Sequence, residues 1–183
     1  MAKTKIKLEE GALFSIKIKD NSWTLAQLCS IFKIEEERYE QYTLAFFNHI
    51  YSTEHELINE KDLIDLSKPI IILSINGHPL KTYKLNVIGH REIKYNNVPN
   101  FKEDISKSLG LYKKMSEDFD HILKTYFGFH PWDGFYKDDY VDELLTIGSP
   151  KRNDVKYLKD FSIDELKEIL PANSIKLKGL LEK

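Results

Sequence analysis

The sequence predicts an α+β fold: a strongly bent antiparallel β-sheet or small open barrel in the N-terminal half, packed with C-terminal helices. Three observations predict it. Alternating and β-branched apolar runs crowd residues 11–95, whereas from about residue 100 the apolar positions recur every three to four residues. Strands therefore precede helices instead of alternating with them, so the βαβ rhythm of a doubly wound fold is missing. The chain has 183 residues, 42% hydrophobic and 31% charged, so one domain over residues 1–183 can build a core without metals or disulfides.

The elements follow in order. Gly11 opens an alternating stretch in which Phe14, Ile16 and Ile18 share one strand face and Ser15, Lys17 and Lys19 the other. Asp20-Asn21-Ser22 is a turn, because Asn and Asp tolerate left-handed backbone and bond to it. Residues 23–32 return as the partner strand, with apolar residues denser than alternation requires, as if one end were covered on both faces. Residues 34–40 read as a solvated connection and 42–51 as a third strand, with a helix as the alternative. Residues 62–66 read as a helical turn or short extended piece. Residues 70–75 are the clearest central strand, closed by a turn at 76–79, and 83–88 form a fifth strand ended or bulged at Gly89. Helices are expected at 101–111 and 117–127, the second stopped by Gly128 and Pro131. A short helix is expected over 138–145. Another starts at Ser162, with Glu165 reaching back to its cap, and stops at Pro171.

Charge and composition remove several function classes. The 27 basic and 29 acidic residues nearly cancel, which excludes a globally basic nucleic-acid coat. Cys29 is the one cysteine, so an internal disulfide framework is excluded; it reads as a small buried side chain. The lysine-rich start lacks the apolar region of a signal peptide, and the longest apolar run, 69–75, falls far short of the ~20 residues of a membrane span. A cytoplasmic protein with no membrane partner is expected.

The six histidines give no metal-ligand spacing. His55-Glu56 lacks the second histidine of a zinc helix. His121 can approach Asp118 or Glu117 as a surface charge arrangement, and His78 and His90 follow strands that could converge. No catalytic residue, metal or cofactor is assigned, and the chain is not read as an enzyme. The strongest local feature is residues 132–143. Between Asp133 and Glu143 stand five acids and Lys137, a balance of −4, interleaved with aromatics. Trp132, Asp133, Phe135, Tyr136, Asp138, Asp139, Tyr140, Asp142 and Glu143 are the candidate partner-binding residues: acids steer a basic partner, and tyrosines supply rigid contact area. The basic residues are spread out, with pairs at Lys113-Lys114 and Lys151-Arg152 and no long stripe, so nucleic acid is not the partner expected.

The stretch Lys7-Leu8-Glu9-Glu10-Gly11-Ala12-Leu13-Phe14-Ser15-Ile16, then Trp23-Thr24-Leu25-Ala26-Gln27-Leu28, resembles the immunity protein 26 family, which is grouped with relatives of an organophosphate-hydrolysing enzyme. Tyr83 to Gly89-His90 resembles a later segment of that family, with Tyr83 where tryptophan is more typical. The resemblance implies a small cytoplasmic protein that neutralises a cognate bacterial toxin by stoichiometric binding. In physical terms the residues carrying it are structural: Gly11 permits close backbone approach, Trp23 anchors the open hairpin end, Gln27 satisfies buried backbone groups and Gly89 ends or bends a strand. Two other functions stay open: a small hydrolase of phosphotriester-like substrates, using His78 or His90 with a distant acid, and a nucleic-acid- or peptide-binding barrel module.

Overall fold

A computed structural model describes residues 8–33, 40–76, 85–95 and 119–182. The fold is α+β, with a bent antiparallel sheet followed by helices. The chain divides into two compact units, Met1–Glu117 and Asp118–Lys183.

In the first unit, β1 (Ala12–Lys19) and β2 (Ser22–Lys33) form the expected hairpin. Its turn carries Asn21 at φ 57°, the left-handed conformation that an asparagine accepts most readily among non-glycine residues. β3 (Glu40–Phe46), β4 (Ile71–Asn76) and β5 (Asn86–His90) complete a sheet of order β4-β3-β2-β1-β5. Every pairing in it is antiparallel. Among the described residues β4 and β5 stand at opposite ends, so the sheet is open and the barrel alternative falls away. Register shifts at Ile18, Cys29 and Ile88 each put an extra residue into one strand; such bulges bend a strand and raise its twist.

The register places Leu13, Leu25, Gln27, Ala45 and Ile72 on one sheet face. With Cys29, Phe47, Leu57, Ile64, Leu66 and Tyr95, the apolar members of that face form a buried core. Phe14, Ile16, Leu28, Leu44 and Leu73, on the other face, are equally buried. The dense apolar pattern of β2 is thus explained by a sheet covered on both faces.

Three expectations need correction here. Residues 70–75 form a strand at the end of the described sheet, not a central one; burial of both faces gives it a central strand's apolar composition. The third strand stops at Phe46, and Tyr51 returns only as a single bridge to Trp23. A helix, α1 (Glu54–Glu60), lies where none was expected. Thr53 Oγ1 accepts from the Glu56 N–H at 3.1 Å, and Glu56 Oε2 accepts from the Ser52 N–H at 3.0 Å, so side chains satisfy two backbone N–H groups at its N-terminus. The segments expected at 34–39, 77–79 and 101–111, together with Tyr83, lie outside the described residues.

In the second unit, α2 (Phe119–Tyr126) buries Phe119, Ile122, Leu123, Thr125 and Tyr126. It ends as expected: Gly128 has φ 75°, and a Cβ there would stand 2.8 Å from the Asp154 carbonyl oxygen. The short helix is α3 (Tyr140–Leu144). A 3₁₀ turn at Leu158–Asp160 precedes α4 (Ile163–Ile169), whose capping box between Ser162 and Glu165 is present. Leu166 and Leu170 are buried, whereas Ile163 is exposed. They meet Leu177 of α5 (Ile175–Leu181), a further helix not foreseen, in a small apolar cluster.

Candidate functional site

The candidate surface grows from the reversal after α2. The Lys124 carbonyl accepts the N–H groups of Phe129 (2.8 Å) and His130 (3.2 Å), which folds the chain back over the helix. Trp132 follows and is buried, 1% exposed, with its backbone N–H on the Lys156 carbonyl at 2.7 Å. Its indole N–H donates to Asp142 Oδ2 at 2.8 Å. Lys151 Nζ lies 4.0 Å from the Trp132 ring centroid and 3.6 Å from Asp142 Oδ2, so a cation–π contact and an ion pair share one ammonium. Asp133 also turns inward: its Oδ1 accepts from the Leu158 N–H at 2.7 Å. Trp132, Asp133 and Asp142 therefore clamp the two ends of the segment.

Between the clamps, aromatic rings run outward. The Phe135 ring lies 4.7 Å from His121 and 4.8 Å from Tyr140, and Tyr140 lies 5.2 Å from Tyr136. Tyr136 is 75% exposed. Asp138, Asp139, Asp142 and Glu143 are exposed beside it, and Asp139 flanks the start of α3 without a side-chain cap bond. Asp138 pairs with Lys176 of α5, and Lys137 with Glu143 at 3.4 Å. The Glu143 hydrogen bond and charge raise the Lys137 ammonium above its ordinary value. Counting Lys151 and Lys176 with the segment's five acids and Lys137 leaves −2, half the imbalance of the segment alone. Sequence reading missed those two lysines because they lie 8 and 33 residues beyond Glu143.

The residues of the family resemblance lie in the first unit and serve the fold. Gly11 has φ 94°, and a Cβ there would stand 2.7 Å from the Arg91 carbonyl oxygen and the His90 ring. Its N–H donates to the Leu28 carbonyl at 2.7 Å. Gln27 Nε2 donates to the Arg91 carbonyl at 2.8 Å, the backbone satisfaction expected of it. Its Oε1 accepts from the Tyr95 hydroxyl at 3.2 Å, and that hydroxyl lies 2.7 Å from Cys29 Sγ. Burial pushes the Cys29 thiol up to about 12 and raises the Tyr95 phenol as well. Gly89 sits at a bulge of β5. Trp23 is half-buried against the core and bridges Tyr51 through paired N–H···O bonds of 2.8 and 2.9 Å; it stands beside the turn, not at the open end of the hairpin.

Of the histidines, His90 places Nε2 2.7 Å from the Glu10 carbonyl, and His55 places its Nε2 3.1 Å from Asn59. His78, Glu117 and Asp118 lie outside the described residues. Among the described residues no group of three or more His, Cys, Asp or Glu side chains is arranged to hold a metal ion. No helix among them is long and apolar enough to cross a membrane. No protein-family model, curated protein or solved structure matches the chain.

Proposed function

We propose that this chain is a cytoplasmic immunity protein that neutralises a cognate bacterial toxin by binding it stoichiometrically and covering its active surface. The observation that carries the reading is the outer face of residues 135–143. Tyr136 is three-quarters exposed and stands in a row of rings with Tyr140 and Phe135. Asp138 and Asp139 lie next to it, and the Trp132–Asp142 hydrogen bond holds the segment from beneath. A surface held in one conformation loses little entropy on docking, and an exposed tyrosine contributes large contact area at low cost. The carboxylates complement a basic cleft, such as that of an enzyme acting on a polyanion, and speed encounter with it. The resemblance at Gly11, Trp23, Gln27 and Gly89 supports the same reading from the first unit, where those residues build the scaffold.

The test is co-expression with the toxin candidate encoded beside the gene. Growth is expected to be restored by the wild-type chain and lost again with Tyr136→Ala/Asp138→Asn/Asp139→Asn. Continued growth arrest in the presence of soluble wild-type protein refutes the proposal for that pair.

A further inference from the structure

We propose that His121 and His130 form a two-imidazole site for a borderline divalent metal ion, zinc or copper(II). His121 sits in the first turn of α2, and His130 lies just past the reversal at Gly128. Their Nδ1 atoms are 3.1 Å apart, and the ring centroids 4.4 Å apart with planes at 58°. A tetrahedral zinc with bonds of about 2.05 Å spans ligand nitrogens about 3.3 Å apart, so this pair needs only a small ring rotation to embrace one ion.

The placement is fixed by backbone and packing. Gly128 takes the left-handed conformation that turns the chain, and its N–H donates to the Thr125 carbonyl at 3.1 Å. The N–H groups of Phe129 and His130 both donate to the Lys124 carbonyl, which holds His130 over the helix. Phe135 packs edge-on against the His121 ring at 4.7 Å and limits its rotation. Both histidines are half-buried, open enough to leave remaining coordination positions to water. Imidazole nitrogens suit zinc, copper and nickel, and copper(II) binds such a site more tightly than zinc. At neutral pH an Nδ1–Nδ1 contact requires a proton on one ring and a lone pair on the other. Binding the ion through both Nδ1 atoms leaves that ring's proton on its Nε2, the other neutral tautomer. The nine-residue spacing matches no familiar metal motif, because the site is made by a chain reversal instead of one helix face.

The experiment is histidine ¹H–¹⁵N spectroscopy of the full chain at pH 7.5, titrated with zinc chloride and separately with copper(II) chloride. One equivalent of zinc is expected to shift the His121 and His130 imidazole signals together, leaving His49, His55 and His90 as internal references. Copper(II) is expected to broaden the same two signals first and to give an electron paramagnetic resonance spectrum with nitrogen ligands. His121→Gln and His130→Gln should each weaken binding on the order of tenfold or more, since losing even an outer-shell partner of a metal ligand costs that much. Unmoved His121 and His130 signals at one equivalent of both metals overturn the proposal. So does unchanged affinity in either variant. If the variants fail to fold, the wild-type titration alone decides.

Discussion

Gln27 and Asp142 hold their surroundings in opposite media. Gln27 is fully buried in the first unit, where its amide joins the Arg91 carbonyl to the Tyr95 hydroxyl and, through it, to Cys29. Asp142 lies at the surface of the second unit with its side chain 42% exposed, and it takes the Trp132 indole N–H from below and the Lys151 ammonium alongside. Each fixes a segment to its unit with a single polar side chain. Water can replace Asp142 in part, whereas Gln27 and the Tyr95 it joins are both buried. The first unit thus has a dry polar centre that serves the fold alone. The second has a wet polar rim, which leaves its outer residues available to a partner.

The largest effect expected comes from the residue beneath that rim. Trp132→Ala removes a buried indole and should cost about 3–5 kcal/mol of second-unit stability. Hydrogen exchange read separately over residues 8–95 and 119–182 checks it: the second set should lose protection, and a loss below ~1 kcal/mol would show that the ring is not core.

Next comes the dry centre. Gln27→Leu strands the Arg91 carbonyl, leaves the Tyr95 hydroxyl with Cys29 as its partner and should cost about 1–3 kcal/mol in urea unfolding. Adding Tyr95→Phe to Gln27→Leu should cost less than Tyr95→Phe costs in the wild type, because the hydroxyl has already lost its Gln27 partner; equal costs in the two backgrounds would break the account. The same centre sets a pH dependence. The folded Cys29 thiol lies at about 12 against 9.0 for an ordinary cysteine, so the folded state holds its proton where the unfolded chain has released it. The thiol's contribution is intact below pH 9 and declines between pH 9 and 12. Iodoacetamide labelling at pH 8 should accordingly be slow until the protein is unfolded.

The smallest effect belongs to the wet rim. Asp142→Asn keeps an acceptor for the indole N–H and loses only an exposed ion pair, so less than about 1 kcal/mol is expected in the same urea experiment. A loss equal to that of Gln27→Leu would erase the distinction between the two centres.

Legibility in the sequence divides along the same line. The β1–β2 hairpin, the stop at Gly128 and the Ser162 cap could all be read, because each rests on neighbours in the chain: alternation, a left-handed glycine, a Ser-x-x-Glu pair. The Thr53-x-x-Glu56 cap of α1 is in the sequence too, but the helix buries only Leu57, so no apolar stripe marks it. Residues 70–75 read as central because burial on both faces erases the alternation that marks a sheet's end. At the candidate site, the acidic and aromatic composition was legible. Which acids face inward was not, because Asp133 is used by Leu158 and Asp142 by Trp132 and Lys151. The meeting of His121 with His130 was hidden for the same reason, since only the reversal at Gly128 brings them together.

The central claim, a partner surface on residues 135–143, is tested most directly by isothermal titration calorimetry with the toxin encoded beside the gene. A catalytically inactive form of that toxin would be titrated with the wild-type chain and with Tyr136→Ala/Asp138→Asn/Asp139→Asn. The account predicts one-to-one binding by the wild type and a loss of at least about 2 kcal/mol in the variant, with its unfolding curve moved by no more than about 0.5 kcal/mol. Equal affinity of the two proteins, or no binding by the wild type, would contradict it.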